Sequence, residues 1–553
     1  MPVQQTRESS KHETVVDTPR LLLLILPVLI LITSFLVFLR HNFYCLACAE
    51  TWISFGGIIF FALLFSLLMI VGGRMMSGVV VSGLMTIFID IQFIPEGWIV
   101  GYGLLLFVAL ETFGLCWFLK EKFYVIVTSV FATFFLVTLL QLALTYSKND
   151  VPFEHRRPYA DSPTRIIHLI FDEHIGIEGI PTDIKGGSAI RNLITEFFRK
   201  NGFQLFGGAF SHYFNTHNSI SNMLNFSAES KDSAYLRGVD PYRLLHNKYF
   251  EMLSEQKYHI EVLSPGYINF CSDTTVVNIS CSEYKAENLR TFAKLEIPIS
   301  QKLQVLLSRF LGQSSILSWI TYLSTITVPA ILPPQWAWAF DHERTRMHPL
   351  NTLANLDALW NSILSLPQGT ALFAHLLIPH YPYVAQADCL IRPPSREYLW
   401  KTRGLLTQPS TNTIASREER YQLYFQQLEC LYLRLDKLFN RMRAAGIYDN
   451  SIIILHGDHG SKIAITDSIS ENRDSLTKQD LVDGFSTLFA TKFPGRSGIY
   501  DASTSPLEQL FAKFVLEAGL TSYNIALEQS KPFVYLTAAH DNALLRIPYP
   551  LPE

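Results

Sequence analysis

The sequence predicts a membrane-anchored α/β protein, in which a bundle of five transmembrane helices precedes an α/β domain with a largely parallel sheet. Residues 21–146 form an almost unbroken apolar block, cut into lengths that suit helices crossing a bilayer. After residue 164, short apolar strands alternate with helical stretches, as in domains built on parallel strands. We therefore expect a cytoplasmic tail, a transmembrane domain, a linker and an outer domain over residues 1–20, 21–147, 148–164 and 165–553, respectively.

The apolar block predicts both the number of spans and their orientation. We place the spans near residues 21–39, 51–72, 77–93, 98–119 and 123–146. The third is the weakest, because it is short and contains Asp90. Basic residues precede the first span and lie in the second and fourth loops, which predicts that these parts face the cytoplasm. Arg40 and His41, in the first outer loop, oppose this orientation mildly. Five crossings put the rest of the chain on the outer face.

Composition narrows the class of protein. Of 553 residues, 49% are hydrophobic and only 17% charged, and the net charge is −3. Without a basic run, this balance excludes a nucleic-acid-binding protein. The outer part holds an even number of cysteines, as expected in an oxidising compartment. Cys271 and Cys281 bracket a short polar loop and predict a disulfide, whereas the pairing of Cys389 with Cys430 has no support from spacing.

The outer part predicts strands over 165–171, 370–378 and 451–455, and helices over 189–201 and 418–445. The apolar segment 314–334 could form an interfacial or substrate-facing helix, or a buried core helix. A sixth span there would separate Asp172 from Asp458 across the membrane, so we do not predict one.

Acidic and imidazole side chains follow two of these strands. The run Ile452-Ile453-Ile454-Leu455 continues into His-Gly-Asp-His-Gly, which contains Asp458 and His459. A carboxylate beside an imidazole suits zinc or manganese, although the triplet could equally be a strand-ending turn. Asp172 and Glu173 follow the strand 165–171, where open α/β enzymes bind ligands. The alternative is that they cap the next helix.

Two further signals come from a histidine and a threonine. His380 lies past the strand 370–378, between prolines, and is a better functional candidate than His375. His375 lies inside the apolar run and is expected to be a hydrogen-bonded core residue. Thr216 lies at a loop-to-helix junction, where a hydroxyl can face a metal or can simply cap the helix.

The order of these motifs resembles the alkaline phosphatase/sulfatase superfamily. With a five-span anchor, the chain resembles its phosphoethanolamine transferases of lipid A and its lipoteichoic acid synthases. The resemblance implies a divalent metal, zinc or manganese, and a nucleophile at Thr216. The match rests on the Thr-x-x-Ser spacing of Thr216 and Ser219 and on Met223, seven residues after the threonine. It implies that His380 binds substrate. The implied metal ligands are Glu173, Thr216, Asp458 and His459, with Asp172 able to contribute.

The resemblance also implies a function. The expected enzyme is a transferase of the bacterial inner membrane, with its catalytic domain on the periplasmic face. It would move phosphoethanolamine or phosphoglycerol from a phospholipid donor to a glycan or glycolipid acceptor, through a phosphothreonine. The alternatives are a membrane-anchored hydrolase of phosphate or sulfate esters in the same superfamily, and a domain that only binds.

The sequence departs from the family pattern at several points. No Cys/Ser-x-Pro-x-Arg motif lies near Thr216, which disfavours sulfatase chemistry through formylglycine. His375 and His380 come without the Asp of an Asp-x-x-x-His pair, so we expect one principal metal. Ser461, followed by Lys462, replaces the glutamate that usually follows Asp-His-Gly, so substrate specificity cannot be carried over. Ser221 replaces a proline of the transferases.

Overall fold

The computed structural model describes most of the chain, in two compact units. The described residues are 18–93, 99–145, 163–229, 244–273, 275–284, 289–293, 295, 297–311, 313–314, 347–392, 413–521, 525, 531–537 and 544–550. One unit comprises residues 1–149 and 298–342, and the other comprises 150–297 and 343–553. The predicted boundaries assigned 298–342 to the outer domain, so the grouping differs there. Most of the predicted tail and linker, and segment 314–334 beyond Ser314, lie outside the described residues.

The first unit contains the apolar helices. They are α1 (Thr18–His41), α2 (Ala49–Val71), α3 (Gly73–Phe93), α4 (Ile99–Leu119) and α5 (Glu121–Thr145). Within the described residues, four helices are long and apolar enough to cross a membrane, namely those at Arg20–His41, Ala49–Val71, Gly73–Gln92 and Glu121–Leu142. The apolar stretch of α4, Gly103–Leu119, is shorter. These helices have the length and composition of membrane-spanning segments. The count of five crossings remains a prediction.

Two contacts in the first unit bear on the sequence predictions. Asp90 is buried in α3 and accepts a hydrogen bond from the Ser314 hydroxyl, 2.7 Å away, so this carboxylate inside an apolar helix has a partner. Ser314 follows helix α10 (Ile299–Leu311), which packs against α2. Cys45 and Cys48 form a disulfide at the start of α2, which the sequence did not predict.

The second unit is built on an eight-stranded sheet. Its strands are β1 (Ile166–Phe171), β2 (Gln204–Phe210), β3 (His259–Ser264), β4 (Ile279–Glu283), β5 (Thr370–Leu376), β6 (Ile452–Gly457), β7 (Phe489–Lys492) and β8 (Tyr500–Pro506). They lie in the order β4-β3-β5-β1-β6-β7-β2-β8. A separate hairpin pairs β9 (Phe533–Thr537) with β10 (Leu544–Pro548). The central strands β5, β1 and β6 are buried throughout, as expected where both faces of a sheet are covered.

The sheet is mixed, and most of its described strand pairs are parallel, as the prediction of a largely parallel sheet expects. Strand β7 runs antiparallel to both β6 and β2, while the other described pairs of this sheet are parallel. The reason lies in the connection between β6 and β7. Gly460 N–H donates to Gly484 O (3.0 Å) and Lys462 N–H to Asp483 O (3.1 Å), so the chain remains at the carboxyl edge of β6. A strand that restarts from that edge must return antiparallel.

Helices surround this sheet. They are α6 (Gly187–Lys200), α7 (Thr216–Leu224), α8 (Lys248–Glu255), α9 (Leu289–Phe292), α11 (Met347–Leu364), α12 (Ile414–Ala444), α13 (Lys478–Phe485) and α14 (Leu507–Glu517). The predicted Cys271–Cys281 disulfide is confirmed, and Cys389 pairs with Cys430. The predicted strands and helices agree with β1, β5, β6, α6 and α12 to within a few residues at each end.

Candidate active site

Three neighbouring parallel strands end at the candidate site. In the ladder, Phe171 of β1 is opposite Leu376 of β5 on one side and Gly457 of β6 on the other. Residues that follow these three positions therefore emerge at the same edge of the sheet. Asp172 and Glu173 follow β1, Asp458 and His459 follow β6, and His380 follows β5. Parallel pairing thus brings together residues that are hundreds of positions apart in the chain.

The turn after β6 holds the Asp458–His459 pair in a fixed orientation. Both side chains are buried, and His459 Nε2 lies 3.1 Å from Asp458 Oδ2. His459 Nδ1 donates to the carbonyl oxygen of Gly460, 2.9 Å away, so Nε2 faces the site. A side chain at Gly460 would place its Cβ 2.3 Å from Asp483 O, so only glycine fits there. The Asp-His-Gly triplet is therefore a turn that also directs a ligand nitrogen into the site.

The turn after β1 is held in an unusual backbone conformation. Glu173 has a φ of 62°, in the left-handed region that non-glycine residues rarely adopt. Its N–H donates to Asp458 Oδ1, 3.0 Å away. The Tyr424 hydroxyl donates to Glu173 O (2.7 Å) and accepts from Ile175 N–H (2.9 Å). Tyr424, on α12, thus stabilises the turn that directs Glu173 inward.

Buried carboxylate oxygens without hydrogen-bond partners converge on the site. Within the described residues, no hydrogen bond reaches Asp172 Oδ1, Glu173 Oε1 or Asp458 Oδ2. One ligand atom each from Asp172, Asp458 and His459 lie within 4.8 Å of one another. A second such group contains Asp172, Glu173 and His380. Buried anionic oxygens are costly unless a cation pairs with them, so this donor set fits a divalent metal. The two groups of candidate ligands share Asp172, so the donor set is compatible with one metal ion or with two. One principal metal therefore stays a prediction.

Thr216 begins α7 and faces the Asp458–His459 pair. Its Oγ1 is 3.3 Å from His459 Nε2. Ser219, one turn further along α7, donates from its hydroxyl to the carbonyl oxygen of Asp458 and accepts from the Ser211 hydroxyl, 2.8 Å away. Ser219 therefore joins α7 to the end of β6, which gives the Thr-x-x-Ser spacing a structural reason. Met223 is fully buried in the hydrophobic core.

Cationic and imidazole groups lie beside these acids. His380 Nε2 is 3.5 Å and Lys462 Nζ is 3.7 Å from Glu173 Oε1, and both side chains are partly exposed. His380 Nδ1 donates to the carbonyl oxygen of Tyr381, so Nε2 faces the site. His217 follows Thr216 in the first turn of α7 and is also partly exposed. The accessible side of the site therefore favours anionic ligands.

Burial and neighbouring charges act in opposite directions on the acids and on His217. Burial raises the pKa of Glu173, although His380 and Lys462 act to lower it. Burial also opposes ionisation of Asp458, but the charge of His459 and its hydrogen bond hold the pKa of Asp458 well below its usual range. Burial lowers the pKa of His217 to about 4, helped by Lys462 and His459. His217 is therefore neutral near pH 7.

Comparisons with known proteins find likenesses among solved structures alone. No family model and no curated protein sequence matches the chain. The chain is similar to the C-terminal periplasmic domain of EcEptC from Escherichia coli in complex with Zn, at 12% identity and a TM-score of 0.39, over 72% of this chain and 94% of that one. It is similar to the lipoteichoic acid synthase LtaP from Listeria monocytogenes, at 10% identity and a TM-score of 0.34, over 70% and 85% of the two chains.

A third likeness is to a 2-O GAG sulfatase, at 12% identity and a TM-score of 0.41, over 68% of this chain and 78% of that one.

The structure also brings forward residues that the sequence did not single out. Tyr424 lies within a long amphipathic helix, where nothing local distinguishes it from a core tyrosine. The sequence assigned no role to Lys462, because it was named only where the chain departs from the family pattern. In the structure its ammonium group lies beside Glu173. His375 is buried as predicted, but neither of its ring nitrogens has a hydrogen-bond partner among the described residues.

Proposed function

We propose that this chain is an enzyme: a membrane-anchored, metal-dependent transferase that moves an alcohol-phosphate group, phosphoethanolamine or phosphoglycerol, from a phospholipid to an envelope lipid or glycan. The observation that carries the proposal is the position of Thr216 Oγ1, 3.3 Å from His459 Nε2. This hydroxyl lies beside buried carboxylate oxygens that have no hydrogen-bond partner among the described residues, a set that suits a divalent cation. A hydroxyl at such a site is placed to act as a nucleophile.

The residues that would hold the metal, zinc or manganese, are those of the predicted set. They are Asp172, Glu173, Thr216, Asp458 and His459. Their oxygen and imidazole donors suit both ions. When bound, the metal would supply positive charge that lowers the pKa of a nearby hydroxyl and offsets the charge of a phosphoryl group.

The transfer needs two displacements at phosphorus. In the first, a bond forms between Thr216 Oγ1 and phosphorus, and the bond from phosphorus to the diacylglycerol oxygen breaks. The threonine proton is released to solvent, and the leaving oxygen takes a proton from His380 Nε2. In the second, a hydroxyl oxygen of the acceptor bonds to phosphorus and its proton passes to His380 Nε2, while the bond from phosphorus to Thr216 Oγ1 breaks and this oxygen takes a proton from solvent. Lys462 contributes positive charge beside the entering phosphodiester.

The apolar helices support a lipid donor and a membrane location. A tethered catalytic unit meets phospholipid at a high effective concentration. Disulfides occur in both units, at Cys45–Cys48 and at Cys271–Cys281, and disulfides form in oxidising compartments. They support a topology of five crossings, with the loop after α1 and the catalytic unit on the outer face of a bacterial inner membrane.

Chemical trapping tests the proposal. The purified full-length chain is incubated with a phospholipid labelled in its head group, quenched in acid, and searched by mass spectrometry for a phosphodiester on Thr216. We expect labelled Thr216, and a shorter lifetime of the label when a glycan or glycolipid acceptor is added. Thr216→Ala should abolish both labelling and transfer. Thr413→Ala is the matched control, because Thr413 also lies at the start of a helix but is exposed.

The outcomes separate the candidate functions. A label whose lifetime is the same with and without acceptors, and which water removes, identifies the hydrolase alternative. Transfer that persists in Thr216→Ala overturns the proposed nucleophile. If the full-length chain binds no divalent metal, the third alternative holds: a non-catalytic domain that only binds its ligand. In cells, the mass increment that disappears from envelope lipids or glycans in Thr216→Ala would identify the transferred group.

A further inference from the structure

Asp172 and His375 form a buried pair at the edge of the candidate site. Neither side chain is accessible to solvent beyond 2%, and His375 Nε2 lies 3.5 Å from Asp172 Oδ2. Neither ring nitrogen of His375 has a hydrogen-bond partner among the described residues. A buried imidazole normally has partners for both nitrogens, so an unpartnered one beside a carboxylate needs a reason. The sequence had predicted a hydrogen-bonded core histidine at this position.

The two oxygens of Asp172 face different neighbours. Oδ2 faces His375, whereas Oδ1 faces His459 Nε2 at 3.8 Å and has no hydrogen-bond partner among the described residues. Asp172 is also the residue common to both groups of candidate metal ligands, and His375 belongs to neither group. The carboxylate therefore has one oxygen available to a cation and the other directed at an imidazole.

The backbone around this pair is rigid. The N–H of Asp172 donates to Leu376 O (2.9 Å), which continues the β1–β5 ladder past the end of β1. The Tyr284 hydroxyl donates to His375 O (2.8 Å) and accepts from Leu377 N–H (3.2 Å). Tyr284 is buried at the end of β4. Hydrogen bonds thus hold the backbone on both sides of the pair, and displacing the backbone of Asp172 or His375 would break them.

We infer that His375 is a positioning residue for the proposed metal ligand Asp172: its Nε2–H is directed at Asp172 Oδ2, 3.5 Å away, and leaves Oδ1 to face the metal. The inference rests on the metal site of the proposed function. Ligating carboxylates commonly have their second oxygen held by a hydrogen-bond donor, which fixes the orientation of the ligand. His375 itself contacts neither the metal nor the substrate. What is new is the role of His375, which the motif pattern treated as a core residue.

Metal affinity of the purified full-length chain tests the inference directly. Zn²⁺ and Mn²⁺ binding is measured by competition with a chromogenic chelator. We expect His375→Leu, which keeps an apolar side chain in the space but removes the donor, to weaken binding 10- to 100-fold. His375→Gln, which can donate an N–H toward Oδ2, should recover most of that loss. Asp172→Asn should weaken binding at least as much as His375→Leu.

A double-mutant cycle separates positioning from a merely structural role. If His375 acts through Asp172, His375→Leu has no further effect on affinity in the Asp172→Asn background. The control is His168→Leu. His168 is also buried, but it lies on β1, where its Nε2 is 2.7 Å from His456 Nε2. The control substitution should lower the melting temperature and leave metal affinity unchanged.

Several results would overturn the inference. Equal affinity in wild type and His375→Leu would leave His375 with a packing role alone, as would additive effects in the cycle. Unchanged affinity in Asp172→Asn would remove Asp172 from the ligand set. The proposed function fails separately: a chain with the expected affinity pattern but no label on Thr216 binds metal for another purpose. Conversely, labelled Thr216 with normal metal affinity in His375→Leu would sink this inference and spare the transferase.

Discussion

Oγ1 of Thr216 and Nε2 of His459 lie 3.3 Å apart, although 243 residues separate them in the chain. Thr216 begins α7, the helix that follows β2 in the chain. His459 follows β6, which lies two places away from β2 in the sheet. The contact depends on α7 packing over the end of β6.

Ser219 maintains the contact between α7 and β6. Replacing it with alanine removes the bond from its hydroxyl to Asp458 O and leaves that buried carbonyl with one partner fewer. We expect a loss of about 1–2 kcal/mol in the free energy of unfolding, and a lower rate of Thr216 labelling. The control is Ser221→Ala, because the Ser221 hydroxyl, among the residues that the structure describes, bonds within α7 to His217 O. Equal labelling rates in the two variants would contradict this role for Ser219.

Tyr424 stabilises the left-handed backbone of Glu173. Tyr424→Phe removes one hydroxyl that makes two hydrogen bonds, to Glu173 O and from Ile175 N–H. We expect a loss of about 1–3 kcal/mol of stability and weaker metal binding, because the turn can relax. Tyr432→Phe, on the same helix, loses the bond between its hydroxyl and His174 Nε2, 2.9 Å long. Tyr432→Phe should lower stability without changing metal affinity. Metal affinity is measured in both variants by chelator competition, and equal affinities would contradict the role of Tyr424.

Lys462 adds positive charge next to the carboxylates. Its Nζ is 3.7 Å from Glu173 Oε1, and its side chain is 25% exposed. Lys462→Met should have opposite effects on two ligands: Zn²⁺ binds several-fold more tightly because a repelling charge is removed, and the KM for an anionic phospholipid donor rises. Lys462→Arg keeps the charge and should resemble wild type. A Lys462→Met variant with both affinities unchanged would exclude Lys462 from the site's electrostatics.

Glu508 predicts a dependence of stability on pH. Burial raises the pKa of Glu508 to about 8, while His212 Nε2 lies 3.8 Å away. Burial lowers the pKa of His212 to about 4, so His212 does not take up a proton above pH 6.5 in the folded chain. In the unfolded chain Glu508 ionises near its ordinary value, so the folded chain binds more protons between the two pKa values. Stability from Glu508 is therefore complete at low pH and is lost as the pH rises toward 8.

Glu508→Gln should remove this dependence. We expect the variant to gain stability relative to wild type as the pH rises from 6.5 to 8, with a slope of at most about 1.4 kcal/mol per pH unit. The measurement is the melting temperature of the full-length chain at several pH values in one detergent. The exposed Glu196→Gln should leave the slope unchanged. Parallel curves for wild type and Glu508→Gln would mean that Glu508 is ionised in the folded chain.

Local patterns predicted the elements that carry the site. The predicted apolar runs, which end at Phe171, Ile378 and Leu455, identify β1, β5 and β6, since buried central strands are continuous apolar segments. The bracketing of a short polar loop by Cys271 and Cys281 was enough to predict their disulfide. Such features depend on neighbouring residues in the chain, which a single sequence records directly.

Other features depend on residues that are distant in the chain. The antiparallel direction of β7 follows from where the loop after His459 is held, and no period in the sequence of β7 encodes it. The role of Tyr424 follows from the position of its hydroxyl between Glu173 O and Ile175 N. The different neighbours of the two Asp172 oxygens become visible only when β5 and β6 flank β1.

The sequence by itself determined which residue types end each strand and begin α7, because hydrophobic period and turn chemistry are local properties. That Thr216 begins a helix and that Asp458 and His459 follow a strand was predicted on that basis, whereas their proposed roles come from the family resemblance. Only the tertiary structure decided their distances, the carboxylate oxygens without hydrogen-bond partners and the contact of His375 with Asp172. Strand order and helix packing result from the burial of many side chains together, so they belong to the whole unit and to no single segment.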